Sequence, residues 1–581
     1  MKTIQYISYL FLFILLSACG KVVDKVDDLR NYPAAGTFDD PATAGAFLSN
    51  LYASTLSSGW PTGMAGTADE GGGILGDGWV TTDNDVMKFW PYATIRKINI
   101  LLKELPVGKV AAEVKNPMVG QAKFLRAFSY FKMVYYHGGV PIIEVPQELT
   151  DDLKVSRNST SECFDFIIKD LDEAAALLPP KYINNDRGRI DQAIVAAFKG
   201  RVLLYKASPQ FNPANPYDNA NWATAYTANK AAKDFLDANG YGLLEDFSKV
   251  FETKGHKENI LSVIYVNPAK TNGRGEDGVR PLSESKNSTG LDQPTWGMAE
   301  AFPMKDGKKP GDPTSAYAYN PQTFWLNRDP RFDATMVWNG SIYELSGIKG
   351  RRQYTMSAIA KSMDAFGYII QGENHYRTGL YTRKGIMEEL PSPQVTLNDI
   401  DWPEIRYAEV LFNYAETANE TGKPAEAIQV LKDIRKRAGI EAGGDGMYGL
   451  KTGMTRAELR QAILDEKRVE FMFEGQRFWD LRRHRMLGTL NGMRKYGIMA
   501  TKVNGLTYDQ ITATEAGKAN RFELLPQDFT YEIVELITNG PKQMVMPDKY
   551  YFFPIQLSNI NQNPNLKQNK DWGGDFDPTL H

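Results

Sequence analysis

The sequence predicts a mostly α-helical protein: a tetratricopeptide-like scaffold of helical pairs carrying long irregular loops and minor β structure. Three observations point there. Apolar residues recur at i, i+3 and i+4 through three long blocks, the spacing that gathers side chains on one helix face. Within two of those blocks small and large residues alternate as they do in helix-turn-helix repeats. By contrast, residues 54–90 and 267–390 are rich in Gly, Pro, Asn, Ser and aromatic residues and hold no sustained period, which predicts loops and short strands laid over the scaffold.

The first block covers residues 94–178. Ile95, Ile98, Leu101, Leu102 and Leu105 form one stripe, stopped at Pro106. Ala122, Leu125, Phe128 and Val134 form a second, stopped at Gly138-Gly139. A third helix follows, entered through Ser159-Thr160-Ser161 and carried by Phe164, Ile167, Leu171, Ala174 and Leu178. The second block pairs residues 193–206 with 223–236; there Ala196, Ala197 and Gly200 let backbones approach while Leu203, Leu204, Trp222 and Tyr226 fill the groove. The third block, 405–485, repeats the alternation through Ala408, Leu411, Tyr414, Ala415, Gly422, Ala427, Ile428 and Leu431.

The amino terminus reads as an export signal. Lys2 precedes a mainly apolar run from Ile4 to Leu16, then Leu16-Ser17-Ala18-Cys19-Gly20. A small-residue cleavage site ending just before a cysteine resembles the bacterial lipobox, so residues 1–18 are expected to be removed and Cys19 acylated, anchoring the chain to a membrane. Residues 19–35 read as a polar tether and 36–581 as the folded body. Once Cys19 is lipidated, Cys163 has no partner for an intramolecular disulfide, and it reads as a small buried apolar residue on its helix. A net charge of −3 with both signs interspersed leaves no basic footprint for nucleic acid.

Enzyme and cofactor motifs fare poorly. Glu466, Glu470 and Glu474 share one helical face, yet Arg468, Arg477, Arg482 and Arg483 lie close by. Carboxylates beside guanidinium groups tend to form fixed ion pairs, whereas a general acid needs a raised pKa. Residues 71–76 match G-x-G-x-x-G without the strand and helix that give that pattern meaning, and read as a flexible loop. Five histidines without paired spacing offer no zinc site. Asp77, Asp83, Asn84 and Asp85 lack the spacing of a calcium loop and read as a solvated turn. No catalytic residue, metal or cofactor is therefore expected.

The residues do resemble a known family, SusD/RagB, along nearly the whole body. The densest match lies in Arg406-Tyr407-Ala408-Glu409-Val410-Leu411 with Asn413-Tyr414-Ala415-Glu416, and in Glu466-Lys467-Arg468-Val469-Glu470-Phe471 with Glu474-Gly475-Gln476-Arg477-Phe478-Trp479-Asp480-Leu481. Lys467 stands where arginine is usual. Phe553-Pro554-Ile555 through Asn563-Pro564-Asn565-Leu566 and Gln568-Asn569 is similar to the family's closing stretch, with Gln556 in place of a common proline. The resemblance implies a surface lipoprotein that lids a SusC-like TonB-dependent transporter in the outer membrane of a Gram-negative bacterium and captures glycan for it. Peptide or another nutrient on the same scaffold is the alternative, and a glycan-degrading enzyme a weaker one.

For capture, a sugar wants an aromatic plane flanked by hydrogen-bonding groups. Trp79 with Asp83 and Asn84, Trp60, Trp296, and Tyr317 with Tyr319 meet that description and fall in the two loop regions where the resemblance places ligand contacts. Trp90, Trp402, Trp479 and Trp572 sit in helical or family stretches and are expected to pack.

Overall fold

The computed structural model describes residues 34–56, 59–84, 86–285, 290–357, 363–367, 377–503 and 528–580. The export signal, Cys19 and most of the expected tether lie outside the described residues, as does Asp85.

The predicted helical blocks form. The main helices are α1 (Pro41–Thr55), α2 (Tyr92–Glu104), α3 (Ala112–His137), α4 (Thr160–Leu177), α5 (Gln192–Ala207), α6 (Asn221–Ala238), α7 (Tyr407–Glu420), α8 (Pro424–Ala438), α9 (Arg456–Glu470) and α10 (Arg477–Arg483). Their starts are chemically marked. Asp40 and Asp191 cap α1 and α5, and Ser159-Glu162 and Thr455-Glu458 form capping boxes on α4 and α9.

Helices α3 and α4, α5 and α6, and α7 and α8 pack as pairs, and the pairs join through α4 against α5 and α6 against α7. This is the stacked scaffold that the small/large alternation predicts. Gly200 shows why small residues are needed: a Cβ there would sit 2.4 Å from Asn229 Oδ1 on α6, whose amide donates to the Gly200 carbonyl at 3.1 Å.

One boundary differs from the periodic reading. Ile405 does not begin a helix: Trp402–Arg406 is strand β5, paired antiparallel with β1 (Asn259–Val263), and the helix starts at Tyr407. Pro403 and the β-favouring Trp402 and Ile405 suit a strand, and the pairing supplies their hydrogen bonds. Elsewhere β2 (Met336–Val337) pairs with β4 (Tyr381–Thr382), and β6 (Tyr496–Lys502) lies between β3 (Met356–Ser357) and β7 (Phe529–Glu535).

The second loop region is more than a covering. Trp296, Phe302, Phe324, Trp325, Phe332 and Trp338 build a separate apolar core against Met472 and Phe473, just beyond α9. Cys163 is buried on α4 as expected, its thiol bonded to Val140, and burial pushes that thiol up to about 12.

Candidate functional site

Three clusters of polar or aromatic side chains compete for functional meaning. The first is the carboxylate row of Glu466 and Glu470 on α9 with Glu474 beyond it; the helix ends at Glu470 and the chain turns through Phe473, with a φ of 60°, so Glu474 does not share the helical face that its spacing predicts. Glu470 Oε2 accepts from Arg331 at 2.9 Å, while its Oε1 accepts from Arg406 at 2.8 Å and from Arg437. Glu466 takes Arg331 and Arg435, both at 2.6 Å, and Glu474 takes Lys384 and Arg406, both at 2.7 Å. Burial alone would push the Glu470 carboxyl up. The guanidiniums of Arg437, Arg406 and Arg331 outweigh it and hold the group below the usual carboxylate range. Glu466 is held down in the same way by Arg435 and Arg331. The three carboxylates tie α8, α9, β5 and the second loop region into a fixed ion-pair network, as expected of the chemistry, but its cations are distant in sequence: the neighbouring Arg468 and Arg477 turn to Asp69, Arg482 to backbone carbonyls, and Arg483 to Glu416 and Asp480.

The second cluster corrects the reading of the glycine-rich stretch as flexible. Lys495, buried just before β6, points its ammonium into the loop and donates to the carbonyl oxygens of Gly66, Ala68, Gly71 and Gly73 at 3.1, 2.5, 2.7 and 2.5 Å. Four carbonyl dipoles around one cation fold the loop tightly. Glycine is required where the turns touch: a Cβ on Gly71 would lie 2.9 Å from Ala65. Asp69 adds a forked pair to Arg477, with both contacts at 2.9 Å. The loop is thus an ordered strut against α10.

The sequence-predicted ligand residues separate when placed. Trp60 is 6% exposed, wedged between Phe251 and Trp402 at 5.1 and 5.0 Å with the Arg274 guanidinium over its ring. Trp296 is 4% exposed and meets Phe324 edge-on in the second core. Neither presents a free face for a sugar to stack on, because each fills a gap between elements that the sequence could not bring together. Trp79 is half-buried, edge-on to Phe478 and Tyr550. Asn84 closes a turn, its amide donating to the Trp79 carbonyl at 3.0 Å and accepting from the Thr81 backbone; Asp83 beside it is exposed. Tyr317 donates its hydroxyl to Glu441. Tyr319 lies half-buried under the Arg328 guanidinium. Trp79 and Asn84 rest on the C-terminal segment, whereas Tyr317 rests on the chain beyond α8.

The third cluster is a cavity of about 400 Å³ among α3, α5, β5 and α10. Phe128, Phe131, Lys132, Tyr135 and Tyr136 enter it from α3 at i, i+3, i+4, i+7 and i+8. Phe198, Arg201 and Tyr205 enter from α5, Trp402 and Glu404 from β5, and Gln476 and Trp479 from the start of α10; the edge of Trp60 also reaches it. Trp479 packs edge-on to Tyr135 at 4.9 Å, to Phe478 and to Phe553, and tilted to Tyr136 at 5.0 Å, as expected of it; it remains half-buried, so it also lines the cavity.

Polar groups punctuate these aromatic walls. Arg201 is neutralised by Glu409, through bonds of 2.6 and 2.7 Å, and reaches Glu404 at 3.0 Å; Glu404 also accepts from Trp402 Nε1 at 3.2 Å. The hydroxyls of Tyr135, Tyr136 and Tyr205 have no hydrogen-bond partner among the described residues. Burial pushes the Tyr136 phenol up to about 12 and raises those of Tyr135 and Tyr205 as well, so all three are neutral hydroxyls able to donate and accept. None of these groups was singled out for binding by sequence reasoning. The available signal was the aromatic stripe of α3 interrupted by one lysine.

A stack of helical pairs enclosing an aromatic, polar-edged cavity is the class of protein that this geometry defines. Comparison with known proteins agrees and narrows it. The chain belongs to the SusD family, whose model matches residues 257–572, more than half of its length. Residues 58–204 match a second model, described as starch-binding associating with outer membrane. Among curated relatives, a SusD-like protein P2 of Formosa agariphila is 24% identical over 410 residues, covering 68% of this chain and 71% of that protein. A SusD-like protein of Bacteroides ovatus is 24% identical over 482 residues, covering 79% and 76%. Among solved structures, a SusD-like carbohydrate-binding protein of Bacteroides fragilis superposes with a TM-score of 0.70 at 24% identity, covering 91% of this chain and 100% of that one. At that identity the likeness establishes the fold.

Proposed function

We propose that this chain is a surface lipoprotein of the outer membrane that binds oligo- or polysaccharide and hands it to a SusC-like TonB-dependent transporter without cleaving it. The observation that carries the binding step is the aromatic cavity. Its flat apolar rings are flanked by phenol hydroxyls, Gln476, Glu404 and Lys132, the pairing of stacking planes and hydrogen-bonding groups that a sugar requires. The anchor rests on the Leu-Ser-Ala-Cys sequence ending at Cys19. Hand-over to a transporter rests on family membership and on the outer-membrane description of the second model. Exposed Asp83, with Trp79, Tyr317 and Tyr319, is proposed to make further contacts with a longer chain at the surface. Trp60 and Trp296 are withdrawn from stacking by their burial, and Asn84 is engaged in its turn.

Modest affinity with quick release suits a delivery protein. Calorimetric titration of the purified protein against plant, host and microbial glycans tests the reading. Saturable binding by one glycan class, weakened in Gln476→Ala at the cavity and in Trp79→Ala at the surface and leaving the glycan intact, is the expected result. Peptide binding with no glycan bound at millimolar concentration would defeat the sugar assignment, and release of shortened product would defeat the non-catalytic one.

A further inference from the structure

The cavity's charges are unequal in one respect. Arg201 is matched by Glu409 and Glu404. Lys467 and Arg483 are matched by Asp480, at 2.9 and 2.8 Å, and Arg483 also by Glu416. Glu474 is matched by Lys384 and Arg406. Lys132 is left over. Its ammonium has no hydrogen bond or ion pair among the described residues, and its recorded neighbour is the face of Phe89, 4.6 Å from the ring centroid. Glu404 acts on it electrostatically without a direct contact, and both oxygens of Glu404 are engaged, by Arg201 and by Trp402 Nε1.

A half-buried cation held by no hydrogen bond or ion pair is an unfavourable thing to build into an aromatic wall, because the field of Glu404 and the face of Phe89 offset only part of the cost of removing it from water. A ligand that brings an anionic group to it recovers that energy. Around Lys132 the cavity offers what the remainder of such a ligand needs. Tyr135, Tyr136 and Trp479 supply ring faces and hydroxyls, and Gln476 an amide. The volume is at the lower end of small-molecule sites, room for one or two sugar rings and not a long chain.

We infer that this cavity is a subsite for an acidic saccharide unit, a uronate or a sulfated sugar, whose carboxylate or sulfate is held by Lys132 while its ring packs against Trp479 and Tyr135. The assignment rests on the saccharide reading above and specifies it: the protein selects among glycans by the charge on one residue of the ligand. Burial already presses the Lys132 ammonium toward its neutral form, and a bound anion would restore it.

Matched pairs of probes test this on the purified protein by calorimetry: glucuronate against glucose, cellobiuronate against cellobiose, and galactose 6-sulfate against galactose. At least one acidic member is expected to bind about tenfold more tightly than its neutral mate, the worth of one charge-assisted hydrogen bond. The carboxylate and sulfate pairs separate the two sources of charge. Lys132→Met should abolish the preference and Lys132→Arg should retain it, with thermal melting of both variants like that of the parent. Equal binding within every pair, or a preference that survives Lys132→Met, overturns the acidic subsite while leaving glycan capture standing. Failure of every sugar, together with failure of the polysaccharide panel, would remove both.

Discussion

The seam along α9 and the cavity between α3 and α10 are built from similar residue types and do opposite things. In the seam, each buried carboxylate of Glu466, Glu470 and Glu474 meets two or more cations. In the cavity, Lys132 meets none and three tyrosine hydroxyls are unpartnered among the described residues. A buried polar group satisfied by the protein specifies the fold; one with no protein partner beside an open space is left available to water or a ligand. The difference is one of partners, not of chemistry, so residue type alone does not tell structure from site.

That contrast can be broken, starting where the largest effect is expected. Arg406→Met should destabilise the protein by about 3–5 kcal/mol, because it leaves Glu258, Glu470 and Glu474 short of a buried cation. Denaturant unfolding monitored by circular dichroism measures it, and a loss under 1 kcal/mol would show that the seam is dispensable. Lys495→Met should cost about 2–3 kcal/mol by orphaning carbonyls of the glycine-rich loop. Its specific signature would be faster hydrogen exchange over residues 66–73.

Acid sharpens the comparison further. Glu470 and Glu466 are held below their ordinary range in the folded protein, so between that lowered value and the unfolded value near ~4.3 the unfolded chain binds more protons. Their stabilisation is complete above about pH 4.5 and is lost as the pH falls below it. Melting temperature should therefore drop between pH 5 and pH 3, and Glu470→Gln should flatten that drop. The smallest effect belongs to the cavity. Lys132→Met should alter stability by less than about 0.5 kcal/mol, or raise it slightly, since no partner is lost; a loss of 2 kcal/mol would mark Lys132 as structural.

Much of the scaffold was legible in advance. The stripes beginning at Ile95, Ala122 and Phe164 became α2, α3 and α4, and the small residue Gly200 lies where α5 and α6 touch. Ion pairing of the glutamates at 466, 470 and 474 was legible as chemistry but not as partners: the nearby Arg468, Arg477, Arg482 and Arg483 turn elsewhere, and the cations come from Arg331, Lys384, Arg406, Arg435 and Arg437. The site was far less legible. Trp60 and Trp296 look like sugar platforms in glycine- and proline-rich sequence, but both became core: Trp60 joins the main core against Phe251 and Trp402, and Trp296 the separate core that the aromatic residues of the long insertion assemble. Trp479, expected to pack, does pack against Tyr135, Tyr136, Phe478 and Phe553, and what the sequence did not reveal is that it also lines the cavity.

The sequence by itself determined most of the helices, the entry to α4 at Ser159 and the pairing of α5 with α6, because these depend on spacing within a few dozen residues. It also determined the family, through ordered stretches that need no folding to be compared. Only the tertiary structure decided which polar groups find partners. The Lys495 ammonium is clamped by carbonyls 422 to 429 residues away, and Arg406 gathers carboxylates from before β1 and beyond α9. Whether a charge is satisfied depends on distances of a few ångströms between segments far apart in the chain, and those distances exist only once the helices have stacked.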